Sequence, residues 1–284
     1  MPTILSCTDG SIYAPSVYCH SAWAARRLDA GVHVLHIIED RREFAAMADL
    51  SGAIGVDAQQ KLTEELAALE EAKARVAQKH ARAILADARQ HFSSAGITRV
   101  EVEATHGELI DSIERFGAGA DMIVVGKRGE HADLAKLHLG GNLQRVIRSA
   151  RHPVLVASRA FVPIERFLIA YDGSPSVLKA VDFVLSSPLL KGLECHILRA
   201  GRVDDTARYY LEETAGKLRG AGFTVTSQAT AGSAEVVIAA AVKEHGTNLL
   251  VMGAYGHSRI REFILGSTTT TMVRTCLVPV LMFR

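Results

Sequence analysis

The chain repeats itself, and this duplication constrains the fold more than any single motif does. The first half opens Ile4-Leu5-Ser6-Cys7-Thr8-Asp9-Gly10-Ser11, and the second opens Leu168-Ile169-Ala170-Tyr171-Asp172-Gly173-Ser174. In each, an apolar run is halted by Asp-Gly-Ser and followed by a helical pattern, which reads as strand, turn and helix. Further on, Asp121-Met122-Ile123-Val124-Val125-Gly126 answers Asn248-Leu249-Leu250-Val251-Met252-Gly253. His152-Pro153-Val154-Leu155-Val156 likewise answers Val278-Pro279-Val280-Leu281-Met282. Thirteen positions separate Gly140 from Pro153, and thirteen separate Gly266 from Pro279. Landmarks at shared spacing imply one domain present twice, over residues 1–158 and 164–284.

Within each copy, short apolar runs such as Met122–Val125 and Leu249–Met252 lack polar alternation, as suits parallel strands buried on both faces. Strands alternating with crossover helices imply an α/β fold with two tandem, doubly wound parallel sheets of five strands each. In such sheets ligands lie beyond the carboxyl ends of the strands, which places Asp9, Asp172, Gly126 and Gly253 on the ligand edge. The last strand of each copy is apolar and terminal, an edge that invites pairing. The two copies are therefore expected to pack as a pseudo-two-fold dimer within one chain, with association of two chains left open.

The copies differ in length. Asp9 to Gly126 spans 117 positions and Asp172 to Gly253 spans 81, so the first copy carries 36 extra residues. They map to Gly52–Ser94, where Lys61 onward runs without Pro or Gly to about His91. Leu62, Leu66, Leu69, Val76, Ala83 and Ile84 recur at helical spacing among Glu, Lys and Arg. This helix either covers a partner domain or oligomer contact, or is a lengthened crossover packed on its own sheet. The second is the simpler reading.

Composition limits the function classes. A formal charge of +1 gives no global basic field for nucleic acid. No stretch approaches the roughly 20 apolar residues needed to span a bilayer, and Met1–Cys7 has neither the basic start nor the apolar length of a signal peptide. A cytoplasmic protein is expected. The four cysteines form no CxxC pair, and Cys7 and Cys195 lie in apolar runs where a thiol behaves as a small hydrophobe.

The chemistry is concentrated in Gly253–Thr268. Gly253 and Gly256 let the backbone approach a ligand closely. Gly266-Ser267-Thr268 opens a helix expected over Thr269–Thr275, whose first amides lack intrahelical partners. A phosphate placed there gains both N–H donors and the helix dipole. The Ser267 and Thr268 hydroxyls add donors, or cap the helix.

Two residues separate Gly253 from Gly256, and nine separate Gly256 from Gly266, which Ser267 follows. This spacing resembles the nucleotide signature of the universal stress protein family, and with both halves included the resemblance spans nearly the whole chain. It implies the flavodoxin-like, adenine-nucleotide-binding type of fold and bound ATP, with Mg²⁺ or Mn²⁺ as an optional companion. It implies that Asp172 lies near the adenine and ribose, and that the backbone of Leu198, late in a strand read as Cys195–Leu198, meets the adenine edge. Asp172 also has a plainer reading, as a turn former bonding its own backbone. The first copy departs from the pattern: ten residues stand between Gly129 and Gly140, and Gly141 and Asn142 follow, with no hydroxyl where Ser267 stands. Lys127 or Arg128 can approach phosphates there, but weak or altered binding is expected.

No P-loop, nucleophile elbow or zinc-binding helix motif occurs, and no catalytic residue or metal ligand is assigned. Phosphoryl transfer needs a metal-holding carboxylate and a group orienting the nucleophile, so at most weak ATPase activity is expected. Three readings follow: a nucleotide-binding stress regulator, which leads; a slow metal-dependent ATPase; and a scaffold in which the long helix does the work.

Overall fold

A computed structural model describes residues 1–38, 56–127, 141–255 and 266–284, with the side chains of 56–60 and 141–142 excepted. The first copy runs β1 (Thr3–Thr8), α1 (Ala14–Leu28), β2 (Gly31–Ile38), α2 (Val56–Ser94), β3 (Val100–His106), α3 (Leu109–Gly117), β4 (Met122–Gly126), α4 (Gly141–Ser149) and β5 (Val154–Ala157). The second runs β6 (Arg166–Ala170), α5 (Pro175–Ser186), β7 (Glu194–Ala200), α6 (Asp205–Gly220), β8 (Val225–Thr230), α7 (Ala234–Glu244), β9 (Leu249–Gly253), α8 (Ser267–Thr275) and β10 (Val280–Phe283).

The strands form one ten-stranded sheet in the order β3-β2-β1-β4-β5-β10-β9-β6-β7-β8. Inside each copy all neighbours are parallel, as the uninterrupted apolar runs imply. Each copy has the order 3-2-1-4-5, so strand order reverses between its first and fourth strands. In the second copy that point lies between β6 and β9, where the Asp172 turn and Gly253 emerge. The copies meet through their last strands: β5 and β10 pair antiparallel, with Leu155 opposite Leu281 and symmetric neighbours on either side. Every residue of both strands is buried, so the apolar edges cover each other. Two further ties cross the junction: the Arg27 guanidinium donates to the carbonyls of Leu189 and Lys191, and Lys127 reaches into the second copy, as described below.

The sheet has a core on each face, and each core runs through both copies. Ile4, Trp23, Phe92, Phe167 and Leu211 share one, while Leu5, Ile147, Val156, Leu168 and Met272 share the other. The consecutive pairs Ile4–Leu5 and Leu168–Ile169 split between the faces, as a period of two requires. Cys7 and Cys195 sit in β1 and β7, and burial pushes both thiols up to about 12.

The long helix corrects the simpler reading of its sequence. At 39 residues α2 extends about 58 Å, yet its buried residues begin only at Ala81 and continue with Ile84, Leu85, Ala88 and Phe92. Packing on its own sheet accounts for this last part. Leu62, Leu69 and Val76 are 42%, 45% and 67% exposed, because the first part projects beyond the width of the sheet it would have to cover. Leu69→Lys is therefore expected to change stability by less than about 0.5 kcal/mol. Phe92→Ala, at a fully buried ring 5.6 Å from Tyr18, costs about 3–5 kcal/mol. Thermal unfolding of the two variants checks the contrast.

Candidate adenine-nucleotide site

The strand ends of the second copy bring most of the expected residues to one edge. Beyond β6 the chain turns at Asp172-Gly173, where Gly173 takes a φ of +77° that favours glycine. Asp172 Oδ1 accepts the Ser174 N–H at 2.9 Å, so the carboxylate does build the turn. Its carbonyl accepts from Arg199 Nη1 at 3.0 Å. Ser174 then caps α5 by accepting the Val177 N–H.

Gly253 closes β9 against that helix start. A Cβ on it would lie 2.2 Å from Ser176 Oγ and 3.1 Å from the Val177 amide nitrogen, which leaves no room for a side chain. Two residues on, the Tyr255 carbonyl accepts the Ser176 hydroxyl at 2.7 Å. The Asp172 turn, the first turn of α5 and Gly253–Tyr255 thus form one continuous wall.

Helix α8 is fixed to the same wall. Gly266 N–H donates to the Ala254 carbonyl at 3.3 Å, and the Thr269 hydroxyl to the Gly253 carbonyl at 3.2 Å. The helix begins at Ser267, two residues before the expected Thr269, with Gly266 as its cap and no capping side chain. The reason is local: glycine at the cap has no hydroxyl to stop the helix later, so Ser267 and Thr268 fall inside the first turn. Neither therefore stands at the cap position, and among the described residues no side chain caps the first amides of α8. The Ser267 side chain is exposed. Thr268 is committed elsewhere, donating to Glu235 Oε1 at 2.7 Å, while Ser233 donates to Oε2 at 2.6 Å. These two donors, Ser233 first, hold the Glu235 carboxyl below the usual carboxylate range. Sequence reasoning passed over Glu235, although its segment Gly232-Ser233-Ala234-Glu235, which leads into α7, answers Gly107-Glu108-Leu109-Ile110 of the first copy.

The expected Leu198 is placed one ladder step inside the sheet. β7 runs on to Ala200, two residues past the end read from sequence. Leu198 pairs with Ala170, and its carbonyl accepts the Tyr171 N–H at 2.8 Å. Its side chain is in the core. The ladder between β6 and β7 ends at the Ala170–Leu198 pair, and Arg199 and Ala200 carry β7 two residues past the end of β6. The polar Arg199 obscured the end of the strand. Gly256 lies outside the described residues.

The first copy is built differently at the same edge. Asp9 Oδ1 accepts the Ser11 N–H at 3.0 Å, reproducing the turn. Ile84 of α2, however, packs against one side of it: a Cβ on Gly10 would lie 2.4 Å from Ile84 Cδ1. Lys127 does not face a phosphate position. Its ammonium donates to the carbonyls of Cys276 and Val278, at the C-terminal end of α8, where the helix dipole favours a cation. Burial lowers its pKa to about 8. Arg128, Gly129 and Gly140 lie outside the described residues.

Two buried histidines give the fold an acid limit. His20 Nδ1–H donates to the Ser16 carbonyl at 2.7 Å, and burial brings its pKa down to about 4. His196 stacks on His245 with ring centroids 4.0 Å apart, its Nε2 has no partner among the described residues, and burial followed by His245 brings it to about 4 as well. Between about pH 6.5 and 4 the unfolded chain takes up protons that the folded chain refuses, so stability falls as pH falls through this window. The loss is on the order of 2–3 kcal/mol for His20 and less for the partly solvated His196. Unfolding midpoints measured from pH 7 to 4 should decline, with a shallower slope in His20→Gln.

Comparison with known proteins agrees with this architecture. The model of the universal stress protein family matches residues 1–158 and again 163–284. A universal stress protein of Synechocystis sp. is 39% identical over 287 residues, covering 100% of both chains. The crystal structure of a universal stress protein from Archaeoglobus fulgidus superposes with a TM-score of 0.73 at 22% identity, covering 99% of this chain and 96% of that one. A putative universal stress protein from Pseudomonas aeruginosa gives 0.62 at 15% identity, covering 100% of this chain and 93% of that one. At those identities the two structures speak for the fold, while the family model and the Synechocystis relative speak for descent. The chain belongs to the universal stress protein family, as a tandem member with two copies of the family domain.

Proposed function

We propose that the second copy binds one adenine nucleotide, ATP in the first instance, and that the protein is a nucleotide-dependent stress regulator of the cytoplasm rather than an enzyme. The observation that carries this reading is the close approach of Gly253 to the first turn of α5. A glycine there lets β9 close directly on α5, which holds the Asp172 turn and the start of α8 on one wall, and among the described residues no side chain caps the first amides of α8. Gly253, Gly266 and Ser267 fit a phosphate chain, and a bound Mg²⁺ or Mn²⁺ would supply charge neutralisation for it. Asp172, just beyond β6, and Leu198, at the last pair of the β6–β7 ladder, support the nucleoside end. The Ile84 contact and the Lys127 tie support an empty first copy.

Glu235 opposes the phosphates through its charge and withdraws the Thr268 hydroxyl. Glu235→Gln is expected to tighten ATP binding about two- to fivefold, an effect of the size of an exposed charge pair. Unchanged or weaker binding in titration calorimetry would count against phosphates at α8. The proposal itself is tested by denaturing purified protein and assaying the supernatant for nucleotide. Adenine nucleotide near one equivalent per chain is expected. Its absence, together with no heat on titration with ATP, removes the reading.

The exposed first part of α2 favours a second role as a contact surface. Leu62→Lys, Leu69→Lys and Val76→Lys together should lower the mass of any assembly seen by light scattering, with ATP affinity unchanged.

A further inference from the structure

A cleft of about 570 Å³ opens on the face of the first copy at its junction with the second. This lies in the range that holds small organic ligands. Its floor is apolar, made by Ile110 and Ile113 of α3 with Ile123 of β4. Its other lining is cationic: Arg145 and Arg148 of α4, Arg151 just beyond it, and Arg284 after β10. Glu114 is the one carboxylate side chain of the lining. Among the described residues, none of the four arginines has an ion-pair partner; all four are exposed, and their like charges repel where the cleft gathers them. The dipole of α4 accounts for a cation in its last turn, Arg148. It does not account for Arg145, Arg151 and Arg284 gathering beside it. Tyr255 completes the wall, and its buried hydroxyl has no hydrogen-bond partner among the described residues.

The duplication offers an internal control. Aligning Gly140 with Gly266 sets Thr271, Arg274 and Leu277 at the positions of Arg145, Arg148 and Arg151. Copying the fold therefore does not require this cluster. It is particular to the face where the C-terminal arginine and Tyr255 of the other copy also arrive.

We infer that this cleft, which adjoins the nucleotide loop at Tyr255 and otherwise lies largely on the first copy, binds a small organic anion with an apolar body and a phosphate-like head. Guanidinium groups grip such a head through paired N–H donors, the three isoleucines cover the body, and the Tyr255 hydroxyl supplies the missing neutral partner. The cleft does not suit a free inorganic anion, which leaves the floor uncovered, or a neutral aromatic, which leaves the arginines uncompensated.

The test uses full-length protein and three probes: 1-naphthyl phosphate, 1-naphthol and inorganic phosphate. In titration calorimetry, 1-naphthyl phosphate should bind once per chain, about tenfold or more tighter than either of the others. Saturating ATP should leave that binding in place. R145E/R148E, at two exposed positions, should lose it by about tenfold or more, and Tyr255→Phe, which removes only the hydroxyl, by about threefold or more. Unfolding midpoints near that of the native protein identify these as losses of binding. 1-Naphthol binding as tightly as its phosphate, displacement by ATP, or full affinity in both variants overturns the inference.

Discussion

Gly253→Val should lose ATP affinity by about 100-fold or more, equivalent to about 2.7 kcal/mol, while keeping the fold. The valine Cβ would have to occupy the place of Ser176 Oγ, 2.2 Å away. If the Ser176 hydroxyl rotates aside, it releases the Tyr255 carbonyl, and the wall joining the Asp172 turn to the glycine loop separates. If it does not, β9 must retreat from α5 and carry Ala254, to which Gly266 is bonded. Either route moves the start of α8 away from the Asp172 turn. The stability cost is that of overpacking, about 1–3 kcal/mol. Gly253→Ala should fall between, since alanine forces only the serine rotation. Calorimetric titration beside thermal unfolding separates the two effects. Native ATP affinity in Gly253→Val would contradict the placement of the site.

The second large effect is structural. Leu281→Asp is expected to lower stability by about 4 kcal/mol or more, or to prevent recovery of soluble protein. Leu281 is fully buried and faces Leu155 at the centre of the antiparallel seam. An aspartate there introduces a charge with no partner, among the most costly changes available to a core. It strikes three layers at once, because β10 also pairs with β9 and both faces of the sheet are packed. Leu281→Met, which conserves volume, should cost less than about 1.5 kcal/mol. Denaturant unfolding of both variants gives the comparison. An aspartate variant as stable as the methionine one would mean that the copies do not depend on this pairing.

Most of the fold was legible because burial on both faces writes a plain signal. Met122–Val125 and Leu249–Met252 read as parallel strands, and the apolar last strands read as a seam, since no polar residue had to be explained. Where polar side chains enter an element, the reading failed. Arg199 hid the end of β7, so in sequence the strand reads as stopping at Leu198, two residues short of Ala200. Periodicity in α2 gave the helix correctly but not its exposure. Leu62 and Leu69 keep the spacing of a core face, yet the sheet beneath ends before reaching them. At the candidate site, the turn chemistry of Asp172 and the crowding at Gly253 follow from residue type. Glu235 did not announce itself, because only the folded chain brings α7 and α8 close enough for it to take the Thr268 hydroxyl. Lys127 was misjudged for a related reason: a basic residue beside a glycine loop suggests phosphate, but the seam carries it to the carbonyl end of α8.

These differences make the two copies unequal in a definite way. The second keeps the turn and the close glycine, and among the described residues no side chain caps its α8. The first keeps the turn, packs Ile84 against one side of it, and spends its loop lysine on holding the neighbouring helix. Duplication thus gives the sheet its symmetry while the edge residues give each copy its own chemistry. The most direct measurement is the stoichiometry of ATP binding by titration calorimetry on the full chain. One nucleotide per chain, lost in Gly253→Val and retained in Lys127→Met, is the predicted result. Two per chain, none, or one that survives Gly253→Val contradicts it.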